Sequence, residues 1–175
     1  MSGTLKVGGV PLATHTGTDG LVTGMSWGSS VPAGTVLQVV YGSSGTNVTL
    51  SQTLGTMSTG VSLAITPSSI SSKILVFVSL ACDLGTGNHS AISGRVLRNT
   101  TEIFRVDYIG YVGGGTYHRF LTPTAFVLDS PATTSAVTYY GQAANGAGSS
   151  TSGTYTGKLN SEDNNSSFTL IELQG

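Results

Sequence analysis

Apolar residues along this chain recur in short runs with a period of two, and turn-forming residues interrupt them every few positions. Thr35–Tyr41 (TVLQVVY) alternates and follows Pro32-Ala33-Gly34, a turn signal. Val61–Thr66 (VSLAIT) sets Val61, Leu63 and Ile65 on one face, the pattern of a half-buried strand. Ile74–Cys82 (ILVFVSLAC) is apolar on both faces, which predicts a central strand sandwiched between layers. Gly94–Asn99 and Glu102–Tyr108 flank Asn99-Thr100-Thr101 and predict a hairpin. Tyr117–Leu121, Ala125–Leu128, Ala136–Ala143, Gly153–Leu159 and Ser167–Leu173 complete a set of about ten strands. No long window places apolar groups at i, i+3 and i+4 without Gly or Pro breaking it. The expectation is an all-β chain, an antiparallel β-sandwich or a barrel.

Residues 1–34 follow another pattern. Leu5, Val7, Val10, Leu12, Leu21, Val22, Met25 and Trp27 are spaced widely among Gly and Thr, too thinly to build a core. Fixing each backbone residue costs about 1–2 kcal/mol, and burying one aliphatic or aromatic side chain returns about 1.5–3 kcal/mol. Such a segment either orders against a partner surface or stays a disordered terminus, and Trp27 favours the first. Residues 1–34 are therefore expected to be an extended N-terminal anchoring arm and linker, with the linker near Gly28–Gly34. Residues 35–175 are expected to form the sandwich domain. Leu5, Val7, Val10, Leu12 and Trp27 are the candidate docking residues, Trp27 above all because large aromatics are enriched at interfaces.

Composition sharpens this picture. Only 9% of residues are charged, where roughly 25% is usual. Ser (24), Thr (25) and Gly (25) take their place. Thr favours strands, while Ser and Gly favour turns. Hydrophobic residues make up 38%, so the chain has the apolar content of a folded protein and not of a disordered one. Few charges also mean weak self-repulsion when copies pack together. The net charge is −1, and the seven Lys and Arg are scattered, which argues against a nucleic-acid partner. No apolar run approaches the roughly 20 residues of a membrane span, and the N-terminus lacks the continuous apolar stretch of a signal peptide. The one cysteine, Cys82, lies in an apolar run and is expected to be a buried, inert thiol.

Candidate chemistry is sparse. His15, His89 and His118 have no ligand spacing, and the eight carboxylates are spread along the chain without a ligand cluster, so no metal site is expected. Asp83, His89 and Ser90 contain the residue types of a hydrolase triad, but they share one loop and lack a nucleophile elbow. Gly113-Gly114-Gly115 lacks the Gly-Lys-Ser/Thr ending of a phosphate loop and any helical pattern after it. No catalytic residue, cofactor or metal is expected. One cluster stands out: Phe104, Tyr108, Tyr111, Tyr117 and Phe120, mixed with Arg105, Asp107, His118 and Arg119. Tyr and Arg favour recognition surfaces. Phe104, Tyr108, Tyr111, Tyr117 and Arg119 could belong to ordinary core and strand edge, to a subunit interface or to a glycan contact.

Four stretches carry a family resemblance: Thr66–Val76 (TPSSISSKILV), Arg95–Arg98 (RVLR), Leu128–Tyr139 (LDSPATTSAVTY) and Thr169–Leu173 (TLIEL). Together they resemble a β-sandwich domain of tail fibres and virion surface proteins in phages of marine and freshwater bacteria, including cyanophages. The likeness covers roughly Thr35–Leu173, and the arm resembles the short start of phage virion proteins. It departs at Arg98-Asn99, where Arg-Gly is expected; Asn tolerates the same left-handed turn. The resemblance implies a jelly-roll-like antiparallel β-sandwich, commonly a homotrimer, in the virion after assembly in the host cytoplasm. It implies no catalytic motif. Of the roles it allows, the chain's shortness and the lack of a fibre-shaft repeat favour a capsid decoration or cement protein. Such a protein would dock by its arm on the major capsid protein or another virion protein. The alternative is a tail-fibre or receptor-binding protein that recognises a host surface glycan. A polysaccharide-cutting enzyme would need two facing carboxylates, and no acidic pair suggests them.

Overall fold

The computed structural model describes residues 3–7, 10–15, 31–51, 56–84, 90–112, 120–145 and 157–175, with 3–7, 10–15, 90 and 110–112 described by backbone alone. Its strands are β1 (Gly3–Val7), β2 (Val10–His15), β3 (Val36–Ser44), β4 (Val48–Thr49), β5 (Ser58–Ile65), β6 (Lys73–Ser79) and β7 (Cys82–Asp83). They continue with β8 (Ser90–Arg98), β9 (Thr101–Val112), β10 (Phe120–Leu121), β11 (Thr124–Asp129), β12 (Val137–Asn145), β13 (Lys158–Leu159) and β14 (Ser166–Leu173). There is no helix among the described residues.

After the β1–β2 pair, eight strands are long. They form two four-stranded antiparallel sheets, β3-β14-β6-β11 (sheet I) and β5-β12-β8-β9 (sheet II). Counted in chain order, sheet I joins the first, eighth, third and sixth long strands, and sheet II the second, seventh, fourth and fifth. This is the jelly-roll arrangement of two interlocked Greek keys. The fold is thus an all-β antiparallel sandwich, one of the two architectures that the strand spacing implied, with the jelly-roll topology that the resemblance implied.

The four short strands form a sheet of order β10-β7-β13-β4, which repeats the strand order of sheet I. Each short strand continues a long one, so sheet I runs on past a crease. Asn160 holds the crease together. It takes φ 57°, and Asn is among the few side chains that accept a left-handed backbone. Its buried amide Nδ2 donates to the carbonyls of Thr46 and Gly60 at 3.0 and 2.8 Å, and its Oδ1 accepts from the Ser166 amide at 3.0 Å. Backbone groups orphaned by the bend are thereby paired.

The core lies between sheets I and II. Alternation along the strands delivers Ile74, Val76, Val78, Phe168 and Leu170 from one side and Val61, Ile65, Val96, Val137 and Tyr139 from the other. Gly141 in β12 permits the close approach: a Cβ there would stand 2.9 Å from Leu80 Cδ2 and Val78 Cγ2. Cys82 is buried as expected, and burial pushes its thiol up to about 12.

Two expectations change. Ile74–Cys82 is broken at Leu80–Ala81, and among the described residues no layer lies over its outward side: Phe77 is exposed and Leu75 half-buried. Its apolar character on both faces records one face in the core and one uncovered face. Within the expected extended arm, Gly3–Val7 and Val10–His15 pair with each other, from Gly3↔His15 to Val7↔Val10. Residues 16–30, with Trp27, lie outside the described residues, as do most of the expected strands Tyr117–Leu121 and Gly153–Leu159. The pair β1–β2 and the short β4 were not anticipated.

Candidate functional site

Each sheet turns one face inward and one outward, and the two outward faces differ in chemistry. On sheet II the cross-strand row Thr59–Gln142–Arg95–Arg105 spans all four strands. Gln142 Nε2 donates to Thr59 Oγ1 at 2.8 Å, and Arg95 Nε donates to Gln142 Oε1 at 2.8 Å. Arg95 and Arg105 both reach Glu102, at 3.5 and 3.7 Å, and Arg105 Nε lies 3.0 Å from both carboxylate oxygens of Asp107. The Asp107 hydrogen bond raises the Arg105 pKa further. This is a solvated face whose polar groups satisfy one another.

Sheet I presents the opposite. One row reads Val39–Ile171–Leu75–Leu128 and the next Tyr41–Thr169–Phe77–Phe126. Tyr41 is 67% exposed, Phe126 61%, Val39 59% and Leu128 53%. Phe77 and Phe126 meet edge to face, with ring centroids 4.3 Å apart. The flanking row Ser43–Ser167–Ser79–Thr124 is polar and uncharged. Among the described residues of this face, Lys73 at one end is the charged group. An open depression of about 460 Å³ lies among Phe77, Phe126, Thr169 and Ser167. Contiguous apolar patches beyond a few hundred Å² are rare on monomeric proteins and mark contact surfaces. This face is the candidate functional site.

The four motif stretches prove to be structural clamps. Glu172, from TLIEL, is fully buried. Its carboxylate accepts the Ser68 amide at 2.7 Å, the Ser68 and Ser72 hydroxyls at 2.6 Å each, and Gln38 Nε2. Ser68 and Ser72 come from TPSSISSKILV. Burial alone would raise the Glu172 pKa; the hydrogen bonds from Ser68, Ser72 and Gln38 outweigh it and hold the carboxyl below its ordinary value. The other two stretches meet likewise. Arg98 Nη1 pairs with Asp129 Oδ1 at 2.7 Å, and the Tyr139 hydroxyl donates to Asp129 Oδ2 at 2.7 Å. Burial, then the bond to Asp129, raises the Tyr139 pKa. Both clamps close the same end of the sandwich.

The aromatic cluster of the sequence is only partly described. Phe104 is half-buried against the core. Tyr108 is exposed at φ 61°, on an irregularity of β9 where its amide donates to Ser93 Oγ at 3.1 Å. Tyr111 lies in β9 with its side chain undescribed, and Tyr117 and Arg119 fall outside the described residues. Leu5, Val7, Val10 and Leu12 lie in β1 and β2, with side chains undescribed. Among the described residues no group of three His, Cys, Asp or Glu could hold a metal ion, and no helix is long and apolar enough to cross a membrane. The apolar face itself was missed. Its signal was present in Ile74–Cys82 and Thr35–Tyr41: runs apolar on their outward positions, in a chain with no helical pattern to supply a covering layer.

No protein-family model matches the chain, and no curated protein matches it. Among solved structures it is similar to chains of infectious bursal disease virus. A chain of the viral particle is 9% identical with a TM-score of 0.45, over 93% of this chain and 36% of that one. A chain of the VP2 subviral particle is 9% identical with a TM-score of 0.43, over 95% and 39%. A chain of the Gx strain is 10% identical with a TM-score of 0.43, over 98% and 40%. The present chain spans about two-fifths of the length of those chains.

Proposed function

We propose that this chain is a structural protein of a virus particle, and specifically a phage capsid decoration or cement protein that catalyses nothing. The observation that carries the reading is the apolar face of sheet I, uncovered among the described residues, on a jelly roll whose other outward face carries a hydrogen-bonded polar and ionic row. A sandwich built to stand alone has no use for such a face; a subunit of an assembly does. The jelly roll is also a recurrent architecture of viral shells, although it serves lectins and cupins too. The β1–β2 pair adds support. A two-stranded pair on its own is at best marginally stable in water, and among the described residues β1 and β2 pair with each other alone, so they call for a surface to rest on. In this reading the N-terminal segment, with Leu5, Val7, Val10, Leu12 and Trp27, docks on the major capsid protein or another virion protein. The sandwich is displayed and associates with its own copies.

Tyr108 favours the second reading, a tail-fibre or receptor-binding protein. It is a bulky side chain held exposed at positive φ beside Arg105 and Asp107, which is a costly conformation often found at contact sites. An exposed ring flanked by a charged pair can stack on a host surface glycan and bond its hydroxyls. Quantitative mass spectrometry of purified particles separates the two. A copy number comparable to that of the shell subunit supports decoration, a few copies per particle support the fibre, and absence from particles rejects both.

A further inference from the structure

We infer that a second copy of this chain covers the outer face of sheet I, the two sheets packing face to face about a two-fold axis that runs parallel to their strands. The inference stands whether the copies sit on a capsid or on a tail. Size comes first. Val36, Val39, Tyr41, Phe77, Phe126 and Leu128 are large apolar side chains of this one face, each at least 39% exposed, and each partner in a standard interface gives roughly 800 Å².

Chemistry selects the partner. The two central rows carry one hydroxyl, on Thr169, and one phenol, on Tyr41, and no ionised group. A charged surface laid on them would lose water and find no counter-charge. A second copy of the same face brings none either. The uncharged serine and threonine row at one margin and Lys73 at the other supply the polar rim that such interfaces have around an apolar centre.

Geometry then favours a two-fold axis. Tyr41 lies on the edge strand β3 and Phe126 on the opposite edge strand β11, in the same cross-strand row. Rotation about an axis parallel to the strands, between β6 and β14, sets Tyr41 of one copy over Phe126 of the other. It also sets Val39 over Leu128 and Ile171 over Leu75. It sets Thr169 over Phe77 as well, so like meets like at three of the four paired positions, the self-complementarity an isologous contact favours. Aligned packing of sheets at about 10 Å is an ordinary arrangement.

Sedimentation velocity of the full chain over a concentration series tests the inference. The unsubstituted chain is expected to dimerise at micromolar concentrations. Tyr41→Glu and Phe126→Glu, each at an exposed position, should weaken the dimer about a hundredfold while circular dichroism stays unchanged. The double variant Tyr41→Glu with Phe126→Lys should regain association, because the axis places the two substituted positions against each other. A chain that stays monomeric overturns the inference. So does an oligomer that neither single substitution disturbs, which would mean that the face is covered by something else. A trimer dissolved by the substitutions overturns the two-fold geometry, as does a double variant that fails to recover. Copy number in particles is a separate measurement, so this inference and the virion reading can fail independently.

Discussion

The row Thr59–Gln142–Arg95–Arg105 crosses sheet II, and the row Val39–Ile171–Leu75–Leu128 crosses sheet I. Both sit on outward faces of four-stranded antiparallel sheets, with similar backbone geometry and the same need to meet solvent. One row is a chain of hydrogen bonds that leads into ion pairs; the other is aliphatic throughout. The contrast shows that the apolar face is not a by-product of a composition poor in charge. Three of the four ion pairs among the described residues lie on sheet II, and the fourth, Arg98–Asp129, closes one end. Charge is scarce, and most of the ion pairs among the described residues dress the face that stays wet.

The sharpest way to break the comparison is along β14, where inward and outward residues alternate. Phe168 is fully buried between the sheets, whereas Thr169 is its outward neighbour. Phe168→Ala is expected to cost about 3–5 kcal/mol, through lost burial and the cavity left behind. Thr169→Ala should stay within about 0.5 kcal/mol. Urea denaturation of both variants checks this. Equal losses would mean that the outward face is already packed against something in the free protein.

Next in size is the clamp at the end of the sandwich. Glu172→Ala leaves the Ser68 amide and the Ser68, Ser72 and Gln38 side chains without their acceptor, at a cost of about 2–3 kcal/mol. The pH dependence has a definite sign. The folded pKa of Glu172 lies below its unfolded value, ordinarily about 4.3. Its contribution is therefore complete above that value and is lost as pH falls through the folded pKa. Acid titration of stability should be less steep in Glu172→Gln than in the natural chain. A smaller effect belongs to Tyr108, on the edge strand of the polar sheet. Tyr108→Gly relieves a left-handed backbone and should stabilise by about 1 kcal/mol, read as a raised melting temperature. A lower melting temperature would show that the exposed ring contributes to packing.

Sequence reading reached the fold because a period of two survives without context. Thr35–Tyr41, Val61–Thr66 and Ser167–Leu173 lie within or close to strands β3, β5 and β14 for that reason. It also picked out the stretches that hold Glu172 and Asp129, as motifs, without their meaning: the partners Ser68 and Ser72 lie about a hundred residues from Glu172 in the chain, and no local pattern reports such a pairing. The apolar face was hidden by a real ambiguity. A strand apolar on both sides has the same sequence whether a second layer covers it or water does, and Ile74–Cys82 cannot tell the two apart. The hairpin β1–β2 escaped because Gly8-Gly9 lies between residues too sparsely apolar to suggest a pair of strands.

The smallest expected change in stability carries the clearest distinction between the faces. Val39→Thr with Leu128→Thr makes the central row of sheet I resemble its counterpart on sheet II. Thr keeps the β-branched shape that suits a strand, and both positions are more than half exposed, so stability should move by no more than about 0.5 kcal/mol per site. The control is Gln142→Ala with Thr59→Ala on sheet II, which trims a hydrogen bond from an already polar face. Both variants should melt close to the natural chain. They should part in their binding of a dye that fluoresces on apolar surfaces, measured at concentrations low enough to keep copies apart. Removing two aliphatic side chains from a contiguous patch shrinks the surface on which the dye rests, so fluorescence falls in the sheet I variant and holds in the sheet II variant. If both variants bind the dye as the natural chain does, the apolar face is already covered within a single chain, and the difference between the two sheets is one of packing.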